Sequence, residues 1–270
     1  MKMNIVKAAI YTLLILFGGI NLSSAAVTDS LPPGQIDLDE VIISVNKFEE
    51  TKKSVSQQIQ VINSKQIEIS QAQSTADLIA NSGNVFVQKS QMGGGSPVIR
   101  GFEASRILLV VDGVKMNNLI YRSGHLQNIV TMDNAILDRV EVLFGPSSTV
   151  YGSDALGGVI HMYTKKPLFA GYEEKTKLKV NAMIRYGSVN NEMTGHFDFN
   201  LGSEKLASLT SFTISSFDDL KGGRKQNPFY TNSYGERPYY VERINGKDSL
   251  LKNSNRYLQV QSGYSQYDLL

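Results

Sequence analysis

Period-two alternation dominates the C-terminal third of the chain. From Lys177 to Tyr186, Leu178, Val180, Ala182, Ile184 and Tyr186 fall on one side and Lys177, Lys179, Asn181, Met183 and Arg185 on the other. Met193 to Leu201 repeats the pattern, with Phe197, Phe199 and Leu201 opposing His196, Asp198 and Asn200. Leu206 to Phe217 continues it less cleanly, and Arg256 to Tyr267 sets Leu258, Val260 and Tyr264 against Gln259 and Gln261. This period predicts strands with two unlike faces. Spans of ~9–11 residues with a polar second face fit a membrane barrel, and a soluble antiparallel sandwich alternates as well. Gly187 to Asn191 and Gly202 to Lys205 read as short turns, whereas Asp218 to Asn253 reads as one long polar loop carrying Phe229, Tyr230, Tyr234, Tyr239 and Tyr240.

The pattern upstream is different. Gln58 to Ile62 predicts a strand, and Asn63-Ser64-Lys65-Gln66 a helix start with a capping residue in the first turn. Ser74-Thr75-Ala76-Asp77 starts a second helix, with Leu78, Ile79 and Ala80 on its apolar side and Asn81-Ser82-Gly83 at its end. Val85 to Val87 is a strand, Gln91 to Ser96 a loop, and Pro97 to Arg100 restarts the sheet. Ile107 to Val111, ILLVV, is continuously apolar and reads as the buried central strand of a small mixed sheet, turned by Asp112-Gly113. Asn117 to Val130 is loop-like, with a polar tip at Arg122 to His125, and Asp133 to Leu137 is a short helix start. Arg139 to Lys165 then gives a strand, a stop at Gly145-Pro146, a small-residue segment with a turn at Tyr151 to Asp154, a close approach or bend at Gly157-Gly158, and a second strand from Val159 to Tyr163.

Composition narrows the function. The chain has 270 residues and a formal net charge of +2, so nothing in its balance points to nucleic acid. It contains no cysteine, which excludes disulfides, thiolate metal sites, cysteine nucleophiles and a lipid-anchored N-terminus. Three histidines, His125, His161 and His196, are far apart and show no HExxH or other metal spacing. Residues 1–26 read as a signal peptide: Lys2 and Lys7 form the basic region, Ala8 to Ile20 the apolar core, and Ser24-Ala25-Ala26 the small residues before a cut. No later apolar run is long enough for a membrane helix, so any membrane contact is made by strands.

The glycine loop after Phe144 is followed by no Gly-Lys-Ser/Thr and opens no GxGxxG helix, which argues against phosphate binding. RVEVLFGPSSTVYGSDALGGVIHMYTKK, from Arg139, resembles instead the closing segment of the plug domain of TonB-dependent outer-membrane receptors. PVIRGFEASRILLVVDGVKMNN, Pro97 to Asn118, matches a second block of that family in the right order and spacing. The resemblance implies an α+β plug domain followed by antiparallel strands of a truncated transmembrane β-barrel. The divisions are residues 1–26, signal peptide; 27–46, periplasmic lead; 47–167, plug; and 168–270, first barrel strands. Plugged barrels of this class need about 22 strands, so the pattern reads as the N-terminal part of a larger receptor in the outer membrane of a Gram-negative bacterium.

The resemblance also implies sites. Asp39, Glu40, Val41, Ile42, Ile43, Ser44 and Val45 stand where the family carries its TonB box; a mobile, poorly packed segment there would add a strand to the TonB C-terminal domain, energised by ExbB/ExbD. The competing reading of the same residues is the first strand of the next domain. Arg100, Arg139 and Glu141 are charges within apolar strand text, read either as solvated strand ends or, by the family, as releasable contacts between plug and barrel wall. The stretch DGVKMNNLIYRSGHLQN resembles the haem and haemoglobin receptors, which makes His125 a candidate axial ligand of haem iron at the plug apex and haem, or a haem protein, the transported ligand. No resident cofactor and no other metal are implied. His161 reads as packed or hydrogen-bonded, and His196 as lumen-facing without a role. A cobalamin or ferric-siderophore receptor is the alternative. An exported hydrolase lacks a GxSxG or a base near a suitable serine, and an adhesin leaves the two plug-like blocks unexplained. The expected function is therefore transport, with no catalytic residues and with outer-membrane lipid as the surrounding medium.

Overall fold

The computed structural model describes residues 41–42, 44–45, 50–90, 94–116, 132–171, 174–222, 229 and 236–270. Two compact units meet in sequence between Lys166 and Pro167.

In the first unit, β1 (Val41–Ile42) pairs antiparallel with β2 (Glu50–Thr51). β3 (Gln58–Asn63) runs into helix α1 (Ser64–Ser70). Asn63 makes a capping box there: its side chain accepts from Gln66 N–H while Gln66 Oε1 accepts from Asn63 N–H, both at 3.0 Å. Helix α2 (Thr75–Asn81) is capped by Ser74, and Asp77 in its first turn is gripped by Lys89 at 2.7 Å. β4 (Phe86–Ser90) and β5 (Gly94–Val98) form a separate hairpin. The segment expected to restart the main sheet at Pro97 thus stays outside it. Pro97, which has no N–H to donate, is accommodated in a two-stranded pair.

The main sheet contains β3, β6 (Ile107–Val111), β7 (Val114–Lys115), β8 (Leu137–Phe144) and β9 (Gly158–Thr164), in the order β3-β8-β9-β6-β7. Only β6 and β9 are parallel, so the sheet is mixed as expected. Its central strand is β9 and not Ile107–Val111. The Asp112-Gly113 turn, with φ of 47° and 88°, reverses the chain for only two further residue pairs, which leaves β6 one place from the edge.

Both faces of this sheet are buried. Ile107, Leu109, Val140, Val142, Phe144, Ile160 and Met162 pack with α1 and α2 residues such as Ile67, Ala76, Leu78 and Ile79. The alternate residues Leu108, Val110, Leu143 and Val159 pack with Ile42, Ile59, Val61, Tyr151 and Ala155. After β8 the predicted turn is a short helix, α3 (Ser148–Tyr151), ended at Gly152 with φ 94°. Gly158 marks a close approach: a Cβ there would lie 2.5 Å from the Leu143 carbonyl oxygen.

The second unit is an antiparallel sheet in the order β10-β11-β12-β17, formed by β10 (Lys177–Gly187), β11 (Glu192–Gly202), β12 (Ala207–Phe217) and β17 (Tyr264–Leu269). In chain order β13 (Leu220–Lys221), β14 (Tyr239–Ile244), β15 (Lys247–Lys252) and β16 (Leu258–Gln259) lie between β12 and β17. The stretch expected to be one long loop therefore contains the β14–β15 hairpin. The expected fourth strand is split as well. Gln261 at φ 68° and the Asp219 carboxylate, which accepts from both Ser262 and Gly263 N–H at 2.9 Å, break the chain between β16 and β17.

This sheet is inside out by the standard of a soluble protein. Register places Leu178, Val180, Ile184, Phe199, Leu201, Phe212, Tyr267 and Leu269 on one face, and all are exposed. Glu192, Thr194, His196, Asp198, Asn200, Ser211, Thr213 and Ser215 are on the other, and all are buried. A sandwich buries its apolar face, whereas a barrel wall turns it to lipid. Among the described residues no helix is long and apolar enough to cross a membrane.

Candidate functional site

In the first unit, polar residues cluster in the middle of one sheet face. Arg139 and Glu141 alternate along β8, and His161 and Tyr163 along β9. Register sets Glu141 opposite His161 and Arg139 opposite Tyr163. Glu141 is fully buried. Its Oε1 accepts from Arg139 Nε at 2.8 Å, and its Oε2 accepts from the Ser44 N–H at 2.9 Å. Arg139 also stacks its guanidinium 4.1 Å from the Tyr163 ring centroid. A buried carboxylate is tolerable only with such partners, because the cost of taking it out of water is several kcal/mol.

Tyr151 closes the site from α3. Its hydroxyl donates to the Ser44 carbonyl at 2.6 Å. His161 Nε2 accepts from the Gly113 N–H at 3.2 Å, so the ring proton of the neutral imidazole sits on Nδ1. Nδ1 then points at the Tyr163 hydroxyl, 3.0 Å away, with the Tyr151 hydroxyl at 3.4 Å. Burial holds the His161 pKa down at about 4, against the pull of Glu141 and Asp112. Burial, and then the charge of Glu141, push Tyr151 up to about 12 and Tyr163 higher still. Both phenols and the imidazole are therefore neutral at physiological pH. Lys115 Nζ donates to the Tyr151 carbonyl. Beside this cluster opens a cleft of about 300 Å³ lined by Val45, Ser54, Ser56, Gln57, Ser147 and Thr149.

The residues singled out from sequence distribute as follows. Asp39, Glu40 and Ile43 lie outside the described residues. Val41 and Ile42 form β1, Ile42 is fully buried, and Ser44 is held at both its N–H and its carbonyl. The expected loose packing of this segment is corrected: an apolar residue two positions before a clamped serine docks it onto the sheet. Arg139 and Glu141 are not solvated strand ends, since they partner each other and Ser44 within this unit. Arg100 donates to Gln58 Oε1 and lies 5.8 Å from the Phe144 ring centroid. His125 lies outside the described residues.

His161 is hydrogen-bonded, as the sequence suggested. In the second unit His196 uses both ring nitrogens, Nδ1 with Thr213 Oγ1 at 2.7 Å and Nε2 with Asp198 Oδ2 at 3.0 Å, which gives it a structural role the sequence did not disclose. Tyr151 and Tyr163 were missed altogether. The available clue was spacing: Arg139/Glu141 and His161/Tyr163 are both i, i+2 polar pairs in otherwise apolar strands, which places each pair on one face. Among the described residues no group of His, Asp and Glu could hold a metal ion.

A family model described as the TonB-dependent receptor plug domain matches residues 51–159. Those residues, about two fifths of the chain, are similar to a TonB-dependent receptor plug domain. The chain is also 37% identical over 130 residues to the vitamin B12 transporter BtuB of Vibrio vulnificus strain CMCP6, which covers 47% of this chain and 20% of that protein. The chain thus spans about a fifth of the length of the curated relatives it matches. Among solved structures, the alcaligin outer-membrane receptor FauA of Bordetella pertussis superposes with a TM-score of 0.53 at 21% identity, covering 66% of this chain and 30% of that one. FpvA of Pseudomonas aeruginosa, solved with heterologous pyoverdines, gives 0.53 at 20% identity, covering 67% and 22%. These likenesses establish the fold: a plug followed by antiparallel barrel strands.

Proposed function

We propose that this chain belongs to a TonB-energised outer-membrane importer of a bulky metal chelate, with a corrinoid such as cobalamin as its first ligand. The observation that carries the corrinoid reading is the 37% identity over 130 residues to a vitamin B12 transporter. Ferric siderophores are the competing class, favoured by the fold likeness to receptors for alcaligin and pyoverdine. Haem, suggested by the Gly124-His125-Leu126 text, has its own chemistry in an imidazole donor for iron, and it is the ligand that the reported relatives support least. Residues 39–45 are read as the segment that pairs with the TonB C-terminal domain. Energy comes through that domain and ExbB/ExbD. Arg100 keeps the reading of a releasable contact between plug and barrel wall, while Arg139 and Glu141 are engaged with each other and with Ser44 inside the plug.

Equilibrium titration of the purified full-length receptor in detergent with cyanocobalamin, ferric pyoverdine and haemin tests the ligand. Saturable binding of cyanocobalamin alone is expected. Binding of the ferric chelate alone overturns the corrinoid assignment. A Soret change with haemin that His125→Ala abolishes would restore haem.

A further inference from the structure

β14 and β15 are joined by two residues, since Ile244 pairs directly with Lys247. Asn245 and Gly246 stand outside the ladder at φ 50° and 79°. Two successive left-handed residues make a type I′ turn. Both residues are exposed. A Cβ added at Gly246 would meet no atom within 4 Å, so the flank of its nitrogen is open. Among the described residues neither the Asn245 carboxamide nor the Gly246 N–H makes a hydrogen bond. The charged neighbours are Glu242, Arg243, Lys247 and Asp248. Arg243 Nε donates to the Gly246 carbonyl at 3.3 Å and lies 3.9 Å from Asp248 Oδ1, which keeps a guanidinium at the turn.

Other asparagines of the same unit are held differently. Asn191 is also left-handed, at φ 47°, but its Nδ2 donates to Asp218 Oδ2 and its Oδ1 accepts from the Tyr186 hydroxyl, each at 3.2 Å. The residue after it is Glu192, whose β-carbon flanks the following nitrogen. Asn253 is buried and spends its amide on the Arg237 and Leu258 carbonyls, at 2.8 and 2.9 Å. Asn245 alone in the chain precedes a glycine.

We propose that Asn245 is a site of spontaneous covalent modification, deamidating through a succinimide to aspartyl and isoaspartyl products, and that the isoaspartyl product opens the β14–β15 hairpin. The Gly246 nitrogen gives up its proton and attacks Asn245 Cγ. The N–Cγ bond forms, the Cγ–Nδ2 bond breaks, and Nδ2 leaves with that proton as ammonia. Arg243 and Lys247 favour the anion on the way. Water then opens the ring. Addition at Cγ gives aspartate in the original chain. Addition at the main-chain carbonyl carbon breaks its bond to Gly246 and leaves the chain running through Cβ and Cγ, longer by a methylene. No atom is oxidised or reduced. Asp-Gly suits a type I′ turn as Asn-Gly does, so the aspartyl product keeps the hairpin. A two-residue loop has no slack for an added backbone atom, so the isoaspartyl product breaks the Ile244–Lys247 pairing that sets the register. The hold of Gln261 Nε2 on the Val241 carbonyl, at 2.8 Å, loosens with it.

The full-length receptor is aged in detergent in mildly alkaline buffer without ligand, so the result is independent of ligand identity and of transport. Peptide mass spectrometry follows the exchange of NH2 for OH at each asparagine, and an isoaspartyl methyltransferase marks the isoaspartyl product. Conversion at Asn245 is expected to be about tenfold or more faster than at Asn191 or Asn253, and Gly246→Ala is expected to slow it by a similar factor. Conversion at Asn245 no faster than at Asn191, or a rate that Gly246→Ala leaves unchanged, overturns the site. Hydrogen exchange tests the consequence. The aged parent should lose protection over residues 239–252 in proportion to its isoaspartyl content and keep it over residues 192–202. Asn245→Gly retains a favoured turn pair and has no carboxamide, so the same ageing should leave its hairpin protected. Full protection in the isoaspartyl form, or an equal loss in aged Asn245→Gly, overturns the opening of the hairpin.

Discussion

At the residue scale, the histidines divide by what the sequence could say about them. His161 sits in GVIHMYT, and its neighbours at i±2 already announced a shared face. What could not be read was which groups would meet that face, because Ser44 and Gly113 are 117 and 48 positions away, on other elements. His161 carries a pH dependence. Its pKa is about 4 in the fold, lowered by burial, against ~6.5 when unfolded. Between these values the unfolded chain binds a proton that the folded plug does not, so its stabilising contribution is complete above pH 6.5 and is lost as pH falls toward 4. The difference is on the order of 3 kcal/mol across that window. Urea unfolding of the parent at pH 7 and pH 4.5 should show this loss, and His161→Gln should lack most of it. Equal pH slopes in the two proteins would remove the buried neutral imidazole from the account.

At the element scale, local chemistry was legible where a short motif carried it. Asn63 with Gln66 announced the first helix, Ser74 the second, and Asp112-Gly113 the reversal after β6. One motif was overlooked. Asn245-Gly246, with φ of 50° and 79°, lies between Tyr-Tyr-Val-Glu-Arg-Ile and a second run, and is the turn pair that favours a tight hairpin. The aromatic and charged residues around it gave the stretch the texture of a loop. Central placement in the sheet was not legible either. ILLVV and GVIHMYT are both buried, and only pairing order makes β9 the middle strand. Gly158 is the price of that pairing. Gly158→Ala would drive a Cβ to 2.5 Å from the rigid Leu143 backbone, where nothing flexible can yield. A loss of about 2 kcal/mol or more is expected from such overpacking, measured as a lowered denaturation midpoint with an unchanged slope. Gly83→Ala is the contrast: it meets no atom within 4 Å and pays only for its φ of 81°.

At the scale of the whole molecule, alternation showed that β10, β11 and β12 were strands but not which face was turned outward. The burial pattern decides this, since Leu178, Leu201 and Phe212 are exposed while Glu192, Asp198 and Thr213 are buried. The polar face is internally satisfied: Asp198 accepts from Asn181 at 2.6 Å and pairs with His196, and Glu192 accepts from Arg185 and Thr194. Such a sheet needs an apolar medium outside it. Phe199→Arg on the outward face should cost about 2–4 kcal/mol near the bilayer midplane and less toward either interface. Comparing refolding yields of Phe199→Arg and Leu178→Arg into phospholipid vesicles measures this. Indifference to the charge at both positions would mean that this face does not meet lipid.

The central claim is import driven through the N-terminal segment, and cellular uptake tests it most directly. Cells expressing the full-length receptor or its Ile42→Pro variant are compared for binding and internalisation of labelled cyanocobalamin. Proline removes the backbone donor and breaks strand pairing at residue 42 without touching the ligand face. The account predicts equal surface binding in the two strains and internalisation in the parent alone. Undiminished internalisation by the Ile42→Pro variant, or no cyanocobalamin bound by either strain, would contradict it.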